Sequence, residues 1–239
     1  MKCYRVVPYS KFPVWYAGGM KTLTATQMQG VAWGVSAVAV AVGAVAWGNS
    51  YAWQLSQLSV YQIFPLLGLV AFGLMWAHYI ASSFRQYFEL EAGVLKDYFE
   101  ITSAIVLTAI VLHPGLLAWQ RWVDGEGLPP GSELSYVMPS ARWAILFGFT
   151  SLAIFLSYEF RRWFATKGWW KLVQYASDVG MLLIFFHALK LGGALQAGWF
   201  QVVWYFYGLT LVCAIIYGYG LKYVSARMPT ANGGHRKAP

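Results

Sequence analysis

Six uninterrupted apolar stretches, at approximately residues 27–49, 59–82, 97–119, 139–160, 171–193 and 199–222, take up most of this 239-residue chain. A helix rising 1.5 Å per residue needs about 20 residues to cross a hydrocarbon core roughly 30 Å thick, and each stretch reaches that length. In lipid every backbone N–H and C=O must find its partner within the protein, so a lone apolar stretch crosses as a helix. The expected fold is therefore all-α: a polytopic membrane bundle of six transmembrane helices over residues 27–224. A basic arm (1–26) precedes it and a disordered polar tail (225–239) follows. Composition points the same way, with 59% hydrophobic residues, 11% charged residues and a mean hydropathy of +0.50. No remaining segment could hold a soluble domain.

The basic residues set the expected orientation. Lys2, Arg5, Lys11 and Lys21 precede the first span, Arg85 and Lys96 join spans 2 and 3, Arg161, Arg162, Lys167 and Lys171 join spans 4 and 5, and Lys222, Arg227, Arg236 and Lys237 follow span 6. These fall on one side of the membrane, whereas Arg121, Arg142 and Lys190 fall on the other. The positive-inside rule then places both termini in the cytoplasm. A net charge of +8 on such a chain speaks to topology and anionic lipid before nucleic acid, for which no basic-aromatic motif is present. The arm is basic but broken by Pro8 and Pro13 ahead of any apolar run, unlike a cleaved signal peptide, and reads as retained.

Cys3 and Cys213 are the only cysteines and form no CxxC pair, which argues against disulfide exchange. The connection between spans 3 and 4 carries Asp124, Glu126 and Glu133 with Pro129-Pro130. It reads as a structured turn or short lid rather than a span; its acids are expected to belong to a solvated loop, with attraction of a cation or basic partner as the alternative. Gly30 and Gly34 in span 1 suit close helix packing, within the monomer or between copies.

Three of the four histidines lie inside spans: His78, His113 and His187. Ionisable groups at membrane depth are functional candidates by default. Spans 3 and 5 run in the same direction, and His113 and His187 each lie about 9 Å below the outer ends of their helices, near Trp119 and Gly193. Two imidazoles at matched depth on parallel helices could serve as axial ligands of one b-type haem. Histidines that merely bridge helices are the competing reading. His78 sits roughly 10 Å from the opposite end and is open to several readings: a second haem with an unidentified partner, a quinone head group, or a helix-bridging hydrogen bond. Zinc is disfavoured, because a closed site wants four clustered ligands. His235 in the tail is not expected to be a ligand.

Other polar residues add detail. Lys190, one turn beyond His187, could meet a haem propionate or snorkel to headgroups. Glu100 and Asp178, in the inner parts of spans 3 and 5, could form a proton path with His78 or pair with interfacial bases. Glu159 belongs to the inner interface. Pro114, following His113, is expected to disturb the helix there and open room beside the imidazole.

Six spans with His113 and His187 on the third and fifth resemble the ferric-reductase-like transmembrane cytochromes b. That superfamily includes eukaryotic ferric reductases and oxidases, and a small bacterial haem-binding membrane subunit that serves a periplasmic methionine sulfoxide reductase. The resemblance implies the haem-binding membrane subunit of an oxidoreductase, in the bacterial inner (plasma) membrane, with a redox partner subunit or quinone. The chain departs from two-haem members, which carry two histidines on each of two helices about a dozen residues apart. One family-type haem is implied, a second resting on His78 alone. No GxGxxG-bearing nucleotide domain follows the spans, so flavin or nicotinamide chemistry would come from elsewhere. The leading expectation is a b-type cytochrome moving electrons toward the outer face. A small-molecule or proton transporter and a noncatalytic membrane scaffold remain the alternatives.

Overall fold

The computed structural model describes residues 23–160, 164, 166–196 and 198–227. Most of the basic arm, with Cys3, Lys2, Arg5, Lys11 and Lys21, lies outside the described residues. So do Arg161, Arg162 and the tail from 228 onward, with His235.

Among the described residues all regular structure is helical, and six helices are long and apolar enough to cross a membrane. They are α1 (Ala25–Ser50), α2 (Val60–Tyr87), α3 (Lys96–Val123), α5 (Arg142–Glu159), α6 (Trp170–Leu191) and α7 (Trp199–Arg227); a short α4 (Gly131–Tyr136) lies between the third and fourth spans. The molecule is a polytopic membrane helix bundle. Because successive spans reverse direction, both ends of the described chain share one end of the bundle, the terminal side. The connection carrying α4 lies at the other end, the loop side.

Sequence chemistry accounts for the helix starts. The Thr24 hydroxyl accepts from the Gln27 N–H while the Gln27 side chain accepts from the Thr24 N–H, a reciprocal cap on α1. Gln62 reaches back to the Ser59 N–H at the start of α2 in the same way. Helices α2 and α3 run several residues past the apolar stretches, to Tyr87 and Val123. Both pass unbroken through an internal proline, Pro65 and Pro114. The disturbance expected at His113 does not end α3.

Packing is carried by small residues on α1 and aromatic rings at the centre. Met28, Ala32, Ser36, Ala39, Gly43 and Ala46 repeat every three to four residues and form the buried seam of α1. Against α2, a Cβ added at Gly43 would touch Leu69 and one at Gly73 would touch Ala39, each at 3.5 Å. Gly30 and Gly34 lie outside this seam, with open space where a Cβ would be. Close packing within the monomer, one of the two expectations for that pair, is not what they do. In the middle, Phe72, Phe185 and Trp204 join α2, α6 and α7, with ring centres 4.1 Å apart for Phe72–Trp204 and 5.9 Å for Phe185–Trp204. The buried Trp204 indole donates to the Phe185 carbonyl at 3.3 Å, satisfying its N–H within the core.

The loop-side connection is solvated over residues 122–131 and then forms a short lid. Helix α4 folds back over the bundle, burying Ser132 and Glu133. Two arginines hold it: Arg121 donates to the Ser135 hydroxyl and pairs with Glu126 at 3.3 Å, and Arg142 donates to the Leu134 carbonyl at 3.0 Å. A chain segment rich in Gly, Pro and acids looks solvated throughout only until its cationic partners on α3 and α5 are known.

Candidate functional site

Among the described residues, one cavity opens toward each side of the bundle. The loop-side cavity, about 320 Å³, is lined from α2, α3, α5, α6 and α7, and both His113 and His187 border it. A volume of that order suits a small-molecule site, and its walls are mostly apolar and aromatic.

Each imidazole is held by the same device. His113 Nδ1 donates to the Phe64 carbonyl on α2 at 2.7 Å, and His187 Nδ1 donates to the Ala144 carbonyl on α5 at 2.7 Å. A helical carbonyl has two lone pairs, so it can take this bond beside the one from the residue four positions on. That residue is Gly68 in one case and Gly148 in the other. A Cβ at Gly68 would lie 2.9 Å from His113 Cε1, and one at Gly148 would lie 2.8 Å from His187 Cε1. Only glycine lets the ring come close enough to reach the carbonyl. Helices α2 and α5 run parallel to each other, as do α3 and α6, so the two helix pairs repeat one local construction.

The ring centres of His113 and His187 are 6.4 Å apart, with their planes at 81°. With Nδ1–H committed to a carbonyl, the lone pair of each ring is on Nε2. Among the described residues neither Nε2 has a hydrogen-bond partner. No three His, Cys, Asp or Glu side chains gather to hold a metal ion among the described residues.

Above His113, α4 forms a cover. Glu133 and Tyr136 line the cavity, and Tyr136 stacks on Tyr61 with ring centres 5.8 Å apart and meets Phe64 edge-on. The Tyr61 hydroxyl donates to Asp124, which also accepts from Gln120; those two bonds hold its carboxyl below the usual carboxylate range. Burial pushes the Tyr136 phenol up, while the Arg121 guanidinium 5.5 Å over its ring acts in the opposite direction. Lys190 stands exposed and outside both cavity linings.

The terminal-side cavity, about 570 Å³, contains His78 and Asp178 in its lining. Tyr79 on α2 and Tyr219 on α7 each donate a hydroxyl to a different oxygen of Asp178 on α6. Glu159 also borders this space, whereas Glu100 is exposed and lies outside it. Of the three residues read as a relay, His78 and Asp178 share a chamber and Glu100 does not. Met75, Ile110 and Phe155 border both cavities and form the partition between them.

No protein-family model, curated protein or solved structure matches this chain.

Several site residues escaped the sequence reading: Gly68, Gly148, Tyr136, and the phenols of Tyr79 and Tyr219 that hold Asp178. One signal was available for the glycines. Gly68 and Gly148 fall at corresponding places in spans 2 and 4, each followed one span later by an intramembrane histidine. Comparing the two halves for an internal repeat would have found that pattern.

Proposed function

We propose that this protein is a b-type cytochrome of the membrane, with His113 and His187 as axial ligands of one haem in the loop-side cavity. The observation that supports this reading best is the pair of carbonyl-pinned imidazoles bordering one cavity. Their ring centres lie 6.4 Å apart. Bis-imidazole ligation also needs only two protein ligands, because the macrocycle supplies the others, whereas a closed zinc site needs four.

The chain's residues have distinct tasks in this scheme. Phe64 and Ala144 fix the tautomer and ring orientation of the histidines and make Nε2 more basic, as outer partners of metal-bound histidines do. Gly68 and Gly148 permit that contact. Phe72 and Trp204 supply an apolar wall, and α4 with Tyr136 limits water at the loop side. A bound haem would supply one-electron redox chemistry; the protein supplies position and environment. The positive-inside distribution supports a cytoplasmic terminal side; in this reading the haem lies near the outer face of a bacterial inner membrane and receives electrons from a partner subunit or a quinone.

A second reading, a proton or solute pathway, is favoured by the polar terminal-side cavity with His78 and Asp178. The partition of Met75, Ile110 and Phe155 and the outlying Glu100 weigh against a continuous route.

The deciding experiment is the visible spectrum of the purified protein, oxidised and dithionite-reduced, beside His113→Ala and His187→Ala. The wild type should show a Soret band and sharp reduced bands of a low-spin haem, lost or strongly altered in each variant. A folded wild type that stays colourless and takes up no added hemin would refute the proposal.

A further inference from the structure

Glu133, on the short helix α4, is 4% exposed and lines the loop-side cavity. It is the only Asp, Glu, Lys or Arg in the described lining of that cavity. The Ser132 hydroxyl donates to one of its carboxyl oxygens at 3.1 Å, and among the described residues no other hydrogen bond or ion pair reaches the group. The nearby cations are committed elsewhere. Arg121 donates to Ser135, pairs with Glu126 and lies over the Tyr136 ring, while its Nε is buried without a partner. Arg142 donates to the Leu134 carbonyl, and Lys190 is exposed outside the lining. Of the tyrosines that line the cavity, Tyr61 donates to Asp124, and neither Tyr51 nor Tyr136 bonds to Glu133.

A carboxylate at the edge of a mostly apolar cavity is costly to remove from water unless a cation or several donors meet it. Here the protein supplies one hydroxyl. Helix α4 is nevertheless seated from α3 and α5 so that this side chain stays inside. The missing counter-charge is left to the occupant of the cavity.

Given a haem held by His113 and His187, the reading on which this inference rests, we propose that Glu133 is the counter-charge of the ferric haem and sets the preference of the site for the ferric over the ferrous state. Both imidazoles are neutral ligands, so the iron–porphyrin core carries one positive charge when ferric and none when ferrous. One added electron removes that charge, and no proton or atom moves with it. The propionates keep the same charge in both states and cancel in the comparison. The Glu133 carboxylate therefore stabilises the ferric state alone. At an effective dielectric of about 20, a unit charge about 10–12 Å from another changes such an equilibrium about tenfold, and by more where water is excluded.

The test is a redox titration of the purified full-length protein, followed in the visible spectrum, with Glu133→Gln and Glu133→Asp beside the wild type. Gln keeps the size of the side chain and can still accept from Ser132, but it carries no charge. At a given potential its ferrous-to-ferric ratio should rise about tenfold, a midpoint raised by about 59 mV. Asp keeps the charge and should leave the midpoint near that of the wild type. Titration of the apoproteins with hemin should show ferric haem bound about tenfold more weakly by Glu133→Gln, because the two differences are linked as one coupling free energy. The sign separates charge from packing: a lid that merely loosens admits water, which favours the charged ferric state and lowers the midpoint. An unchanged or lowered midpoint in Glu133→Gln, with the sharp reduced bands intact, would overturn this proposal alone and leave the haem reading standing. Glu133→Asp matching Glu133→Gln would likewise rule out a role for the charge. A wild type that takes up no hemin would overturn the haem reading and this proposal together.

Discussion

Adding one methyl group at Gly68 or Gly148 tests whether the two histidines are held as a ligand pair. The new Cβ would stand 2.9 Å from His113 Cε1 in Gly68→Ala and 2.8 Å from His187 Cε1 in Gly148→Ala, where ordinary contact begins at 3.4 Å. Each ring must retreat by about half an ångström. If that shift lies along the Nδ1···O direction, the bond lengthens from 2.7 Å to about 3.2 Å, the outer limit of a good N–H···O contact. Overpacking of this kind costs about 1–3 kcal/mol, and a weakened hydrogen bond removes about 0.5–1.5 kcal/mol more. Loss of an outer partner of a metal-bound histidine typically lowers metal affinity about 10–100-fold. Titration of the apoprotein with hemin, followed at the Soret band, should show a loss of that order for each variant. Gly30→Ala serves as the control, because nothing lies within 4 Å of a Cβ there, and it should titrate like the wild type. If Gly68→Ala and Gly148→Ala both bound hemin with wild-type affinity, the carbonyl pins would have no role in ligation.

Three further outcomes are expected. His78→Gln should retain the full haem content by pyridine haemochrome assay, since His78 borders the other cavity; a loss matching that of His113→Ala would mean that His78 is a ligand. Asp178→Leu removes the acceptor shared by the partly buried Tyr79 and Tyr219 hydroxyls, and at about 0.5–1.5 kcal/mol for each hydrogen bond it should lower the melting temperature in detergent by several degrees, while Tyr79→Phe alone should lower it less. Single cysteines placed at 128 and 138 should label with an impermeant maleimide from outside the cell and one placed at 93 only after permeabilisation; the reverse pattern would invert the orientation and the faces assigned to both cavities.

Length and hydropathy determined the architecture of this chain before any contact was known, because a bilayer admits so few ways to satisfy a backbone. The six spans read from the apolar stretches are the six long helices of the bundle, and the order of spans already made α3 and α6 parallel, with His113 and His187 at matched depth. Helical rise fixes depth, but it cannot say which way a side chain faces around its axis. Only the packing of α2 against α3 and of α5 against α6 brought the two imidazoles to 6.4 Å and gave each a backbone carbonyl to hold it. Tertiary structure likewise decided that Glu133, on α4, is buried rather than solvated, since the seating of α4 depends on Arg121 and Arg142 from two different helices. It also placed Asp178 with His78 and left Glu100 outside. Glu100 lies thirteen residues before His113 on α3 and Asp178 nine before His187 on α6, so helical rise alone sets Glu100 about 6 Å nearer the terminal end, and the facing of each helix, set by side-chain packing, decides the rest.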